Sequence, residues 1–452
     1  MSVRNKSHRK RHAHTGAGNN KPAAQAKAHR SFRFRDALRA LGPGLITGAS
    51  DDDPSGIGTY SQAGAQLGYG IGWTMLLTFP LMAAIQEISA RVGRVTGHGI
   101  AGNVSRHYSP WLLSVVVAML FIANTINIGA DLGAMADATK LLIGGHSIFY
   151  VLLFGVTSVA AQIFLDYRRY VSVLKWLTLS LFAYVAALAF AKVSWSDALA
   201  GILIPRPAWS LEYFTTIVAI LGTTISPYLF FWQASQEAED QRVDKAKRPL
   251  VEKHYGAQKE FNRIRADTIV GMAFSNLIAL SIIVTAAAAL HAAGKTDIQS
   301  SADAAEALRP IAGAFAETIF ALGIVGTGLL AIPVLAGAAA YAVGEGRRWP
   351  VGLARKPKAA AAFYAVLTLS AGIGIALNFT PINPISALYW SAVINGVLAV
   401  PVMVLLMLMA RRNDVMDRYV IKGPLYWLGW LSTAAMLLSV VAMGVGFFAG
   451  RS

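Results

Sequence analysis

Long apolar runs recur along this chain, and two of them are interrupted by polar residues and proline. The first interruption, Asp51-Asp52-Asp53-Pro54-Ser55-Gly56, lies within an apolar stretch over about 41–67. The second, Gly222-Thr223-Thr224-Ile225-Ser226-Pro227-Tyr228, lies within about 211–234. A hydrocarbon core takes about 20 apolar residues per helix. That ruler gives eleven candidate spans: 41–67, 72–92, 111–136, 146–166, 171–192, 211–236, 267–292, 313–344, 358–378, 384–411 and 423–449. In lipid an unsatisfied backbone group costs several kcal/mol, so a broken span survives only where it is buried in protein or lines a watery cavity. Matching breaks in two halves of a chain point to a binding site near the bilayer midplane. The pattern predicts an all-α integral membrane fold with two inverted five-span halves, 41–192 and 211–411. Spans one and six are unwound in the middle, and an extra helix at 423–449 is appended. The halves share the positions of their breaks and no evident sequence identity.

Composition agrees, since 55% of the 452 residues are hydrophobic and 14% charged, with a mean hydropathy of +0.49. Such a chain is too apolar for a set of soluble domains. Cysteine is absent, which excludes disulfides, zinc-thiolate sites, iron-sulfur clusters and thiol nucleophiles. No resident cofactor is expected.

The net charge of +16 matters through its distribution. Residues 1–36 form a basic tail, with Arg4, Lys6, Arg9, Lys10, Arg11, Lys21, Lys27, Arg30, Arg33 and Arg35 and no acid before Asp36. This segment lacks the apolar content to fold alone, and it is long and polar where a secretory signal would be short and apolar. It reads as a cytoplasmic arm drawn to anionic lipid. Its aromatics are Phe32 and Phe34, so nucleic-acid binding is the weaker reading and no nucleic-acid partner is expected. His8, His12, His14 and His29 read as solvated tail residues rather than a metal site.

Lys and Arg near the ends of spans set orientation. With the amino terminus inside, the cytoplasmic loops hold Arg91, Arg94 and Arg106; Arg168, Arg169 and Lys175; the Arg242–Arg265 stretch; Arg347, Arg348, Arg355 and Lys358; and Arg411, Arg412, Arg418 and Lys422. The opposite loops carry only Lys140, Lys192, Arg206, Lys295 and Arg309. Eleven spans place the carboxyl terminus outside, and the expected location is a bacterial cytoplasmic membrane. The stretch 236–265 mixes both charges and reads as a solvated amphipathic loop helix.

The two breaks carry the candidate chemistry. Proline removes a backbone donor and disfavours helix at the residue before it, so the chain opens at Asp53-Pro54 and again at Ser226-Pro227. The first break then offers carboxylates beside free carbonyls, and the second adds the hydroxyls of Thr223, Thr224, Ser226 and Tyr228. Hard cations such as Mg²⁺, Mn²⁺ and Ca²⁺ favour that oxygen-rich set. The bland alternative is a water-exposed turn joining two interfacial helices, but the flanks are apolar and intramembrane acids are costly enough to imply function. Asn124, Asn127 and Asp131 share one face of span three, where lining a proton or water path competes with holding helices together. Gln86 and Glu87 suit an inner gate or a salt bridge to Arg91 or Arg94.

Gly42-Pro43-Gly44, the Asp-Pro break, the run from Gln62 to Tyr69, Thr96-Gly97 and Gly222-Thr223-Thr224-Ile225-Ser226-Pro227 resemble the Nramp family of divalent-metal transporters. The resemblance implies a LeuT-type fold, with spans one and six unwound, and uptake of Mn²⁺, Fe²⁺ and related ions, usually with protons. It also implies that Asp53 is a direct metal ligand. Family members typically place Asn where Gly56 stands, and Met-Pro-His where this chain has Ser226-Pro227-Tyr228. Asp131 matches an acid on the family's proton route, while the acid expected three residues later is Ala134. Asn395 falls near a ligand-supporting position of span ten.

Loss of the thioether shifts preference toward hard ions. Asp51 and Asp52 add carboxylates suited to a hydrated ion such as Mg²⁺, a pattern similar to that of the Nramp-related magnesium transporters. The reading is a secondary transporter moving a divalent cation across the lipid bilayer by alternating access. Asp53, Asp52, Asp51, Thr223, Ser226, Gly56, Tyr228 and Asn395 form the metal set, and Asp131, Asn127 and Glu87 the proton or water path. Alternatives are a proton-coupled Mn²⁺/Fe²⁺ carrier, a cation channel built on rings of acids and a Mg²⁺-dependent membrane enzyme. The last would need a second aspartate-rich segment to hold a diphosphate.

Overall fold

In the computed structural model the described residues are 47–48, 50–165, 181–244, 248–252 and 256–449. The basic tail, Gly42-Pro43-Gly44 and the loop residues Arg168, Arg169 and Lys175 lie outside them. Proline at the first helical position starts helices at Pro54, Pro110, Pro227, Pro384 and Pro424, where its missing N–H is one that a helix start leaves unpaired in any case. The side chains of Asp53, Ser109 and Asn383 cap three of these starts, each satisfying orphan amides of the first turn.

The spans follow the apolar pattern closely. Span two is Trp73–Thr96, span three Pro110–Ile143, span four Ser147–Phe164, span seven Ala257–Ala289 and span eight Ala316–Gly346. Spans nine, ten and eleven are Ala361–Leu377, Pro384–Arg411 and Pro424–Ala449. Span one is described from residue 47, and span five as Phe182–Phe190. Burial separates the spans sharply. The most apolar window of Leu211–Val243 is 94% buried and that of Pro424–Ala449 only 17% buried, so span six is the core of the bundle and span eleven lies at its periphery.

Both predicted breaks are present. In span one a helical turn ends at Asp51, the chain bends at Asp52, Asp53 is extended with φ −67° and ψ 171°, and helix resumes as Pro54–Leu67. In span six Leu211–Thr224 ends, Ile225 and Ser226 leave helical geometry, and Pro227–Val243 follows. Gln66, at the end of Pro54–Leu67, bonds to Glu212 and Thr216 near the start of Leu211–Thr224. The two broken spans therefore run antiparallel, as inverted halves require.

One expectation fails at the polar end. The stretch 236–265 is not a separate loop helix: span six continues to Val243 and span seven begins at Ala257. Its charges are held between helix ends, with Arg263 to Glu237 at 2.6 Å and Arg94 to Glu260 at 3.0 Å. Pairing of this kind lets charged helical turns pack on each other instead of remaining solvated. The described basic loops meet at this same end, where Arg94 donates to Arg248 O, Arg348 to Ser105 O and Arg412 to His107 O.

The bundle is tight enough that some positions admit no side chain. A Cβ at Gly222 would lie 2.0 Å from Ala392 O and 2.5 Å from Gly396 N of span ten. Overpacking typically costs roughly 1–3 kcal/mol, and backbone atoms yield less readily than side chains. Gly222→Leu is therefore expected to lower the melting temperature of the purified protein markedly, whereas Gly372→Leu, which meets nothing within 4 Å, should leave it unchanged.

Candidate metal centre

Asp53 joins three spans. Its Oδ1 accepts from Ser55 Oγ at 2.7 Å and from Gly56 N at 2.8 Å, which makes it the cap of the second half of span one, Pro54–Leu67. Its Oδ2 accepts from Asn127 Nδ2 of span three at 3.0 Å and from Tyr228 Oη of span six at 3.3 Å. Tyr228 Oη also lies 3.0 Å from Ser50 O on the other side of the break. A carboxylate has about four lone-pair sites, so every one has a protein donor within reach.

Asp51 and Asp52 turn elsewhere. Ser275 Oγ of span seven lies within hydrogen-bond reach of both Asp51 Oδ2 and Asp52 Oδ1, the latter at 3.3 Å. Among the described residues, Asp51 Oδ1 and Asp52 Oδ2 have no hydrogen-bond partner. Asp131, one helical turn beyond Asn127, points toward the Ser55 amide without closing a full hydrogen bond. Asp51, Asp52 and Asp131 are fully buried and Asp53 is 1% exposed. Among the described residues no Lys, Arg or His forms an ion pair with any of the four. Buried carboxylates without counter-charge are strongly unfavourable, and a cation among them would relieve both desolvation and mutual repulsion.

The aspartates do not converge on one point. Among the described residues, no three Asp, Glu, His or Cys side chains gather closely enough to hold a metal ion. A cation at the junction would therefore need other oxygens as well. Asn127 Oδ1 is buried and unpartnered beside Asp53, and the carbonyl of Ser50 faces Tyr228.

The remaining predicted residues divide into those at the junction and those away from it. Gly56 lies at the centre: a Cβ there would sit 3.2 Å from Asp51 O and 3.2 Å from Thr223 Oγ1. Thr223 is thus beside the first break. Ser226 turns back on its own span, with Oγ 2.6 Å from Gly222 O and 2.9 Å from Thr223 O. Asn395 is buried on span ten and, among the described residues, makes no hydrogen bond to the aspartates. Glu87 pairs with Arg91 and Arg265, while Arg94 takes Glu260 instead. Ser275 was not anticipated from the sequence; the only signal is a polar Ser275-Asn276 pair within the apolar run of span seven.

Above the junction, Gln66, Thr216 and Tyr389 form a hydrogen-bonded polar layer, with Thr216 Oγ1 2.9 Å from Gln66 Oε1 and 3.0 Å from Tyr389 Oη. A cavity of about 450 Å³ opens there, lined by Gln62, Gln66, Glu212, Asp297 and Tyr389 among others.

Residues 44–446 match the model of the Nramp family, described as natural resistance-associated macrophage protein-like. The divalent metal cation transporter MntH of Klebsiella pneumoniae strain 342 is 29% identical over 299 residues, covering 65% of this chain and 68% of that protein. The manganese transporter of Eremococcus coleocola, solved with an aromatic bis-isothiourea compound, superposes with a TM-score of 0.67 at 15% identity over 93% of this chain and 89% of that one. MhsT, solved with L-phenylalanine, superposes with a TM-score of 0.56 at 13% identity over 90% and 98% of the two chains. The fold is of the LeuT type, and with nearly its whole length matched the chain belongs to the Nramp family.

Proposed function

We propose that this protein is a secondary transporter that binds a divalent metal cation between the two broken spans and exposes it alternately to either side of the membrane. The observation that carries the reading is the set of buried carboxylates without ion-pair partners where spans one, three, six and seven meet. The relatives named as divalent metal cation and manganese transporters support it. Asp53 is the direct ligand in this reading. With all of its lone pairs facing donors, ion entry requires the Tyr228 hydroxyl and the Asn127 amide to turn away. A flip of Asn127 would present its amide oxygen to the ion, standing in for the side-chain oxygen absent at Gly56.

Asp51 and Asp52, joined through Ser275, sit on the inner side of the break and attract the ion or hold its waters. Gln66 and Tyr389, bonded through Thr216, line a cavity that reaches along span one to Gly58, and the Glu87, Arg91 and Arg265 pairs tie the opposite helix ends together. Opening one layer while the other holds is what alternating access requires.

No sulfur faces Asp53 from span six, and oxygen donors favour hard ions; Mg²⁺ or Mn²⁺ is the proposed cargo. A second reading, a proton-coupled Mn²⁺/Fe²⁺ carrier, draws on the names of the relatives and on Met135. A Cβ at Gly328 would lie 2.3 Å from the Met135 sulfur and 3.2 Å from Pro54 Cγ, so a thioether packs near the start of the outer half-helix. Asp131, unpartnered beside Ser55, is the acid that would take the proton.

Asp53→Ala is expected to abolish saturable metal uptake into proteoliposomes, and uptake retained with unchanged affinity would remove the basis of the assignment. Calorimetric titration with Mg²⁺, Mn²⁺, Ca²⁺ and Cd²⁺ separates the two readings. Oxygen-only coordination predicts that Cd²⁺ is not preferred, whereas a strong Cd²⁺ preference, lost in Met135→Leu, would favour the second.

A further inference from the structure

At the end of the bundle where the basic loops gather, a cavity of about 200 Å³ opens between the segments following spans two and eight and the end of span six. Its lining includes His98, Arg106, Arg242, Arg348 and Arg355, with Glu345 the single carboxylate among the described residues that line it. Arginines flanking spans commonly set orientation, and for that purpose they can point independently into water. These converge, and the loops hold them in place. Arg106 donates to Gly102 O at 2.6 Å, Arg348 to Ser105 O at 3.0 Å, Arg242 to Val351 O at 3.2 Å and Arg355 to Val351 O at 3.0 Å. Each guanidinium has five N–H donors, so these bonds to the cavity wall leave others for a guest.

Compensation inside the cavity is slight. Glu345 lies 3.6 Å from Arg242 and is itself occupied by the Gly102 amide and the Ser235 hydroxyl. Four arginines against one carboxylate leave a net charge of about +3 at neutral pH. His98 adds none, because burial and the neighbouring arginines push it down to about 4. Arg348 also adopts a left-handed backbone, with φ 57°, a conformation that is uncommon for residues other than glycine. The loop thus accepts backbone strain while bringing like charges together.

We propose that this cavity is a binding site for a phosphate-bearing anion. Planar guanidiniums grip phosphate oxygens through paired, charge-assisted hydrogen bonds, and a ring of them around one space suits a phosphate group better than a carboxylate. The phosphate belongs to the headgroup of an acidic phospholipid or to a soluble phosphate ester; the chemistry of the cavity is the same for both. This assignment is independent of the cargo proposed above, since none of its residues touches the broken spans' aspartates.

Full-length protein in phosphatidylcholine nanodiscs titrated with inorganic pyrophosphate by calorimetry tests the soluble source. Detergent-purified protein titrated with phosphatidylglycerol, with retained lipid read by native mass spectrometry, tests the lipid. Saturable binding in at least one arm is expected, and the arm that binds identifies the source. Arg106→Gln/Arg348→Gln should weaken it by about tenfold or more, as loss of charge-assisted hydrogen bonds predicts. Arg355→Gln, at an exposed position that leaves the other anchors intact, should weaken it by a smaller factor and guards against misfolding of the double variant. Arg418→Gln, outside the cavity, should bind as the unaltered protein does. Absence of binding in both arms, unchanged binding in both cavity variants, or equal weakening in Arg418→Gln would overturn the assignment.

Discussion

The bonds of Asp53 are the interaction on which the centre of this molecule depends. A proline one residue later prevents the first span from continuing as a helix, and the exposed amides at the restart need an acceptor inside the bundle. Asp53 supplies it through one oxygen and reaches Asn127 and Tyr228 through the other. One carboxylate therefore starts a helix and joins three spans. Its neighbours follow from it: Asp51 and Asp52, displaced around the bend, turn to span seven rather than toward the same point.

That division changes what the triplet of aspartates means. In sequence the three acids look like one cluster, yet the bend leaves Asp51 and Asp52 sharing Ser275 while Asp53 goes to Asn127 and Tyr228. The loss of the family's Asn at Gly56 is likewise more than a missing donor. The space a side chain would occupy is bordered by Asp51 O, Thr223 Oγ1 and the Tyr60 ring, so span six stands close to the first break here. Asn127, brought against Asp53 from the third span, keeps its own amide oxygen buried and without a partner among the described residues.

Much of this architecture was legible because lipid imposes few choices. Apolar length gave the spans, and span ten falls on its expected limits. The Asp-Pro and Ser-Pro steps located both breaks because proline acts locally, whatever surrounds it. What escaped the sequence was direction and partnership. Nothing in the pattern tells that Ser226 turns back on its own carbonyls while Tyr228 crosses to Asp53, since both depend on the rotation of a half-helix. Ser275 escaped because a lone serine in an apolar helix usually bonds its own preceding turn. The charged stretch after span six was misread because its ion-pair partners, Arg94 among them, lie far away in the chain.

The helix contacts also decide which pieces can travel together. At Gly93 of span two, a Cβ would fall 2.1 Å from Ala234 O of the lower half of span six, Pro227–Val243, while the upper half, Leu211–Thr224, is pressed against span ten at Gly222. Backbones in such contact slide poorly against one another. The two halves of one span are therefore fastened to different helices, the lower to span two and the upper to span ten. If those two pairs of helices rock against each other as proposed, the bending falls on Ile225-Ser226, where the chain between them is not helical.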